Sequence, residues 1–295
     1  MVQRRTVGKT VFDIINFIVL VGIAFACIMP LWHVLMASFS DPTMLARNEG
    51  VIWWPGQPAT LKGYELVFQN KNITSGYANT ILYVTTSTVL GVLLTAIAGY
   101  VLSRKGVKWK NIIMFLITFT MMFNGGLVPT YMVIRDLGWI NSRLAVIVPT
   151  CMSVFNIVIM RTSIQAIPDS LEESAKLDGA GHMTILFKII LPLVKATTAV
   201  LVLFYAVQHW NSWFNAMIYL QKRDLYPLQL ILREILVEND ISQITSSAEA
   251  TDTLNLYKPL VQYCTVIVAT APILVIYPFV QKYFVTGVMI GSLKG

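Results

Sequence analysis

Aromatic, amide and imidazole side chains are concentrated in one stretch of the chain, FYAVQHWNSWFNAMIY, from Phe204 to Tyr219. At helical spacing they form two faces, one with Tyr205, His209 and Trp213 and the other with Asn211 and Asn215. Rings that stack on the apolar faces of a sugar, beside amides that hydrogen-bond its hydroxyl groups, would make this stretch a carbohydrate-binding surface. An aromatic belt at a membrane interface, with amides joining neighbouring helices, is the alternative explanation.

Charged side chains are concentrated in a second stretch, EESAKLDGAGHMTILFKIILP, from Glu172 to Pro192. Pro168 precedes a helical pattern in which Ser170 and Glu173 have the spacing of a capping box. Gly179 permits a sharp turn, and a more apolar helix follows as far as Pro192. We expect two short helices at an angle, which either form a lever for a soluble partner or pack only on their own protein.

Signatures of covalent or redox chemistry are missing from the sequence. Cys27, Cys151 and Cys264 lie far apart inside apolar segments, without the spacing of a metal or redox site. The tripeptide GKT at positions 8–10 resembles the end of a phosphate-binding loop, but the position of the leading glycine holds Gln3. We therefore expect no catalytic residue, no metal site and no cofactor in this chain.

The composition is that of a polytopic membrane protein. Of the 295 residues, 56% are hydrophobic and 13% are charged, whereas about 25% are charged in a typical soluble domain. The mean hydropathy is +0.65. The net charge of +7 arises from clusters beside apolar runs, which is typical of membrane topology rather than of a nucleic-acid binder.

Six apolar segments are long enough to cross a bilayer and predict an all-α membrane protein, a single domain over residues 1–295. The predicted spans are 11–39, 80–102, 112–134, 144–160, 196–220 and 259–280, with a cytoplasmic loop at 161–195 and outer segments at 40–79 and 221–258. The sequence NGGLVP predicts a kink or an interruption of the third span, as Pro272 and Pro278 do for the sixth. In the second outer segment, LYPLQLILREILVEND predicts a short helix on the membrane surface.

Lysine and arginine positions predict the orientation. With the N-terminus in the cytoplasm, the basic loop SRKGVKWKN and the loop at 161–195 both lie inside, together with the C-terminus. The second, third, fourth and sixth spans hold no Asp, Glu, Lys, Arg or His. Because ion-coupled carriers usually need ionisable groups or broken-helix ion sites at mid-membrane, this pattern argues against a self-powered carrier. Energy for uphill transport would then come from a partner.

The stretch that ends at Pro192 resembles the signature of ABC importer permeases. That signature is Glu-Ala-Ala, three residues, glycine, nine residues, isoleucine, one residue and Leu-Pro. The chain matches it at Glu173, Ala175, Gly179, Ile189, Leu191 and Pro192, and departs from it at Ser174. The whole chain, including the tail PFVQKYFVTGVMIGSLKG, is similar to carbohydrate importers of the maltose-importer smaller-permease type. The stretch NGGLVPTYMVIRDLGWINS resembles a subgroup for complex or acidic oligosaccharides such as alginate and pectin fragments.

This resemblance implies a coupling helix in the loop between spans four and five, which would insert into a groove of an ATP-binding subunit. The residues it assigns to coupling are Glu172, Glu173, Ser174, Ala175, Asp178, Gly179, Ala180, Ile189, Leu191 and Pro192. The chain would be a non-catalytic, multi-pass permease of the bacterial cytoplasmic (inner) membrane with both termini in the cytoplasm. Its partners would be a second homologous permease, two ATP-binding subunits that hold ATP and Mg, and an extracytoplasmic solute-binding protein that delivers an oligosaccharide. The alternatives are an ion-coupled secondary sugar carrier and a membrane scaffold.

Two further sets of residues are candidates for contacts. Those for the translocation path are Tyr205, His209, Trp210, Asn211, Trp213, Asn215, Asn124 and Asn156. Helix–helix hydrogen bonds are the alternative explanation for the lone asparagines. The tail residues Ser292, Lys294 and Gly295 are candidates for a second contact with the ATPase, and a frayed terminus is the alternative there.

Overall fold

The computed structural model describes residues 7–48, 50–237 and 251–292, and all regular structure within these ranges is helical. The α-helices are α1 Val7–Ser38, α2 Pro42–Arg47, α3 Lys62–Gln69, α4 Lys71–Ser103, α5 Lys110–Met122, α6 Leu127–Asp136, α7 Leu144–Ile147, α8 Val154–Gln165, α9 Asp169–Leu177, α10 His182–Thr184, α11 Leu191–Leu193, α12 Lys195–Trp210, α13 Phe214–Tyr219, α14 Leu228–Leu236 and α15 Thr251–Ser292. Short 3-10 helices cover Val148–Thr150 and Arg223–Leu225, and a π-helix covers Ile185–Ile190.

The chain packs as two compact units. One contains residues 1–70 and 234–271, and the other contains residues 71–233 and 272–295. The prediction of a single domain stays a prediction.

In the first unit, α1 is apolar on all sides and almost wholly exposed, as expected of a helix that lies in lipid. Its last turn is held by side chains, since the Ser38 hydroxyl lies 2.7 Å from the Tyr64 hydroxyl. Nδ1 of His33 accepts a hydrogen bond of 3.0 Å from the amide of Ile52. These contacts join the end of α1 to the segment that follows it.

In the second unit, α4 is the central helix, and α8 and α12 pack along it. Small residues on α4 permit this close approach, because a Cβ atom on Gly91 would lie 2.5 Å from the carbonyl oxygen of Cys151. A Cβ atom added to Gly99 would lie 2.6 Å from Cγ of Met160. Close packing of this kind is the main source of helix association in a membrane, where lipid is as apolar as the side chains.

The helices long and apolar enough to cross a membrane fit the predicted fold class, although the number of spans depends on how broken helices are counted. Among the described residues, three single helices qualify, Val7–Ser38, Lys71–Ser103 and Leu256–Pro278. Three bent pairs also qualify, at angles of 115° for Lys110–Met122 with Leu127–Asp136, 44° for Leu144–Thr150 with Val154–Gln165 and 89° for His182–Leu193 with Lys195–Trp210. If each pair is one span, the total is six.

The third span is broken where the sequence predicts it, and the helix of the sixth span is continuous. The predicted interruption at NGGLVP is confirmed, since α5 ends at Met122, α6 begins at Leu127 and Gly126 takes a φ of 88°. Helix α15 runs through Pro272 and Pro278 without interruption. Proline removes only one backbone hydrogen bond, and a membrane helix can tolerate that loss locally.

The helix predicted in the second outer segment is present as α14, but the prediction that it lies on the membrane surface is wrong. Leu228 and Ile231 are buried within the second unit, and a Cβ on Gly76 of α4 would lie 2.6 Å from Cδ1 of Ile231. The amide of Leu228 donates to Oγ1 of Thr80 at 2.8 Å, and Nδ2 of Asn79 donates to the carbonyl of Asp224 at 2.6 Å. The apolar face of α14 therefore covers α4 rather than lipid.

Candidate functional site

Helix α9, the predicted coupling helix, has a buried face and an exposed face. Glu172 and Ala175 are buried within the second unit. The side chains of Leu171 and Leu177 are 44% and 90% exposed, and Glu173 and Ser174 are also exposed. The signature residues are thus divided: Ala175 belongs to a hydrophobic core with Met160, Ile185 and Leu201, whereas Glu173 and Ser174 are free to meet a partner.

The end of α9 is a Schellman motif centred on Gly179. The amide of Ala180 donates to the carbonyl of Ala175 at 2.9 Å, and that of Gly179 donates to Lys176 at 3.0 Å. Gly179 has a φ of 81°, and no atom lies within 4 Å of the position that a Cβ would take. Glycine is therefore required by the backbone conformation and not by packing.

The start of α9 differs from the prediction. The helix begins at Asp169 after Pro168, and no side chain caps its first turn. The predicted capping box of Ser170 with Glu173 is absent, because the helix starts before Ser170 and both residues lie inside it. Asp169 and Glu172 in the first turn supply the negative charge that favours a helix N-terminus.

The buried carboxylate of Glu172 forms a charge cluster with the C-terminal end of α4. Its carboxylate makes an ion pair with Arg104, lies 2.8 Å from Nζ of Lys176 and accepts a hydrogen bond of 3.3 Å from the Tyr100 hydroxyl. The Tyr100 hydroxyl also lies 3.3 Å from Nδ1 of His182. Tyr100 and Arg104 were not predicted as functional residues, although the basic loop after the second span indicates that charged side chains lie there.

A second ion pair, between Lys105 and Asp169, lies on the surface next to this cluster. The hydrogen bond and the charge of Lys105 lower the pKa of the Asp169 carboxyl, and the same contact raises the pKa of Lys105. Both side chains are well exposed, so this pair contributes little to stability.

The helix after the turn anchors the coupling loop in the protein. Ile185, Leu186 and Ile190 are buried in the same core as Ala175, and Ile189 and Leu191 pack against that core. The π-helix over 185–190 lies directly before Pro192. Its wider turn gives space for the proline ring, which would otherwise clash with a carbonyl of the preceding turn.

Tyr205 joins three helical segments of the second unit. It is fully buried, its hydroxyl lies 2.7 Å from Oγ1 of Thr95 on α4, and the hydroxyl accepts a hydrogen bond of 3.0 Å from the amide of Ser153 before α8. All of its polar contacts are therefore made within the protein. Packing and hydrogen bonding inside the protein are therefore sufficient to explain a tyrosine at position 205, and no sugar contact is needed for that.

Replacing Tyr205 with phenylalanine should destabilise the protein by about 1–3 kcal/mol, because it leaves buried hydrogen-bonding groups on Thr95 and Ser153 without a partner. The measurement is the thermal unfolding midpoint in detergent. Tyr131→Phe is the matched control, since the Tyr131 hydroxyl makes no hydrogen bond within the described ranges. Equal unfolding midpoints for Tyr205→Phe and Tyr131→Phe would show that the hydrogen bonds of the Tyr205 hydroxyl do not stabilise the protein.

Trp210 and Asn156 line a pocket of about 820 Å³ in the second unit. The indole Nε1 of Trp210 is buried and has no hydrogen-bond partner among the described residues. Besides Trp210 and Asn156, the wall residues with polar side-chain groups are Thr85, Ser153, Gln208 and Tyr277, and the others are apolar. The structure thus brings two of the predicted path residues together at one cavity.

The other predicted path residues are in different surroundings. His209 is buried beside Tyr205, with ring centroids 6.2 Å apart, and its Nε2 has no partner in the described chain. The guanidinium of Arg233 lies over the ring of Trp213 at 5.0 Å. Asn211 is exposed and donates to the carbonyl of Val207, and Asn215 is half-buried.

Asn124 does not line this cavity. Asn124 is exposed at the break between α5 and α6, where its Oδ1 accepts a hydrogen bond of 3.0 Å from the amide of Gly126. Ser292 is the last residue of α15. Lys294 and Gly295 lie outside the described residues, so the predicted contact of the tail stays a prediction.

Comparison with known proteins agrees with this arrangement. The family described as binding-protein-dependent transport system inner membrane component matches residues 88–290. The polygalacturonan/rhamnogalacturonan transport system permease protein YtcP of Bacillus subtilis (strain 168) is 34% identical over 291 residues, which cover 96% of this chain and 98% of that protein. Protein LplC of the same organism is 34% identical over 296 residues, which cover 99% and 98%.

A solved structure is similar over almost the whole length. It is that of a bacterial ABC transporter involved in the import of the acidic polysaccharide alginate, with a TM-score of 0.87 and 27% identity, covering 96% of this chain and 99% of that one. The resemblance carried by Glu173, Gly179 and Pro192 is therefore confirmed. The chain belongs to the family of binding-protein-dependent transport system inner membrane components, and it is a permease subunit of an ABC importer.

Proposed function

We propose that this permease belongs to an importer for an oligosaccharide that contains uronic acids, such as a fragment of pectin or alginate. The observation that carries the proposal is similarity over nearly the full chain to two transport proteins of this kind. One is named for polygalacturonan and rhamnogalacturonan, and the other is involved in import of alginate. Both polymers are acidic, and both alignments cover 96% of this chain.

The exposed face of α9 is the proposed contact with an ATP-binding subunit. Leu171 and Leu177 give it apolar area, and Glu173 and Asp178 give it charge. Glu172 and Ala175 face the protein instead, so their part in coupling is to hold the helix in place. ATP and Mg would be bound by the partner ATPase subunits, and this chain would carry out no covalent chemistry.

The pocket with Trp210 and Asn156 is the proposed contribution of this chain to the translocation path. Its indole N–H, amide and hydroxyl groups suit sugar hydroxyls, and its apolar wall suits the flat faces of sugar rings. No charged residue lines this pocket in the described part of the chain. The carboxylate groups of a uronate would therefore bind to residues of the second permease or remain hydrated.

The proposed assembly follows from the family and the charge pattern. A second, homologous permease would complete the path, two ATPase subunits would dock from the cytoplasm, and a solute-binding protein would deliver substrate outside. The chain would lie in the cytoplasmic membrane with both termini inside, because that orientation puts the basic loop at 103–111 and helix α9 on the cytoplasmic side.

The test is ATP hydrolysis by the tagged complex, purified from its native cells with its solute-binding protein and placed in lipid nanodiscs. We expect an ATPase and a second permease to copurify, and we expect trigalacturonate to stimulate hydrolysis while a neutral trisaccharide such as maltotriose does not. Stimulation by the neutral sugar alone would reject the acidic substrate and leave the permease assignment intact. A chain that purifies without an ATPase would contradict the proposed assembly.

A further inference from the structure

Glu172 is the one buried carboxylate among the residues whose side chains the structure describes, and it is 5% exposed. A carboxylate in such a position is costly unless its charge is paired and its oxygens are hydrogen-bonded. Here Oε2 is paired with the guanidinium of Arg104, and Oε1 lies close to Nζ of Lys176 and accepts the hydrogen bond from Tyr100. The site is therefore built for a charged group.

The partners of Glu172 come from two separate elements. Lys176 lies one turn further along α9 itself. Tyr100 is in the last turn of α4, and Arg104 follows α4 directly. The carboxylate thus connects the buried face of α9 to the end of a helix of 33 residues.

Arg104 is held in place by further contacts. Its Nε donates to Oγ of Ser103 at 3.0 Å, its guanidinium lies 4.9 Å from the centre of the Tyr100 ring, and its carbonyl accepts from Nζ of Lys110 at 2.9 Å. A side chain fixed by this many contacts has little freedom to follow Glu172 without moving α4. Because the pair is shielded from water, salt screens it far less than a surface pair.

The far end of α4 is also attached to other elements. Asn79 and Tyr83 donate to carbonyls of residues 224–226, and Thr80 accepts from the amide of Leu228. A displacement of α4 is therefore transmitted to the segment that begins α14. Along its middle, α4 carries the packing of α8 and α12.

We propose that Glu172 is the positioning residue that makes α9 and α4 move as one body, through its buried ion pair with Arg104. The inference rests on the proposed docking of an ATPase on the exposed face of α9. In this arrangement the exposed face receives the force, and Glu172 on the opposite face passes it to the membrane helices. The signature glutamate, Glu173, does not do this, because its side chain lies on the exposed face.

The test compares Glu172→Gln with Asp169→Asn, with sugar uptake measured in cells and ATP hydrolysis and copurification measured on the nanodisc complex. Both changes turn a carboxylate of α9 into an amide, and both remove an ion pair with the loop after α4, but the Asp169 pair is exposed. We expect Glu172→Gln to lower sugar uptake and substrate-stimulated ATP hydrolysis about tenfold, within the range of a typical coupling energy. The copurified ATPase and the unstimulated hydrolysis should stay at the wild-type level. Asp169→Asn should behave like the wild type in sugar uptake, in stimulated and unstimulated ATP hydrolysis, and in the amount of copurified ATPase.

A double-mutant cycle separates transmission from general damage. Arg104→Gln should reproduce the defect of Glu172→Gln, and the double variant should be no worse than either single variant, because the two side chains act as one unit. Additive losses would overturn the proposal. Normal uptake by Glu172→Gln would also overturn it. Loss of the copurified ATPase from Glu172→Gln would overturn it as well, because Glu172 would then be a docking or folding residue. If even the wild-type complex holds no ATPase, the proposed function itself fails.

Discussion

Replacing Gly179 with valine is expected to lower sugar uptake about tenfold or more while the chain remains in the membrane. Gly179 has a φ of 81°, and an L-residue in this region costs about 1–2 kcal/mol, with a β-branched side chain among the worst cases. The strain would open the Schellman motif and change the direction in which α9 leaves the core. Uptake of labelled oligosaccharide by cells, with the amount of inserted chain measured in parallel, checks this prediction.

The matched control for this prediction is Gly179→Asn. Asparagine adopts the left-handed conformation more readily than other side chains, and the space around Gly179 is open to any of them. We therefore expect the asparagine variant to keep most of the uptake. If the valine and asparagine variants lose uptake equally, the loss is due to the added side chain and not to the backbone, and the argument from φ is wrong.

The second large effect is expected from Gly91→Leu, which should prevent α4 from packing on its neighbours. The first added carbon would lie 2.5 Å from the carbonyl oxygen of Cys151 and 3.0 Å from Cε1 of Tyr205. A backbone carbonyl cannot rotate away as a side chain can, so the cost should reach the upper end of overpacking, about 3 kcal/mol or more. We expect the monodisperse peak of the purified chain in size-exclusion chromatography to be lost.

Gly22→Leu is the control for this overpacking. Gly22 lies within α1, and no atom is within 4 Å of the position of an added Cβ. Leucine should be accepted there, and it favours a helix more than glycine does. A normal peak for Gly91→Leu, or an equal loss for both variants, would show that the contact at Gly91 does not limit packing.

Local chemistry in the sequence predicts some of these features well. The position of Gly179 and the break before Leu127 follow from the backbone preferences of glycine and proline, which act over a few residues. The similarity of residues 173–192 to a known signature then identifies the family. In such stretches neighbouring residues determine the conformation, and a sequence can be interpreted without the rest of the fold.

The faces of helices were harder to predict, because periodicity shows which residues lie together but not what they meet. Leu171, Ser174, Ala175 and Asp178 recur at helical spacing, yet only Ala175 among them is buried, beside Glu172. The apolar stripe of α14 was assigned to the membrane, but α4 covers it. Tyr205 is a candidate sugar contact by its residue type and spacing, whereas its two hydrogen-bond partners, at positions 95 and 153, are remote in sequence and could not be predicted from it.

The break between α5 and α6 has a consequence for how this protein meets its surroundings. Residues 123–126 are exposed in the isolated chain, and α5 and α6 qualify as a span only as a pair bent by 115°. Where a helix stops, peptide groups lose their partners, and hydrocarbon offers no replacement for them. Irregular backbone at membrane depth is tolerated only beside protein or water. The side of the permease that carries Asn124 is therefore turned away from the acyl chains of the bilayer.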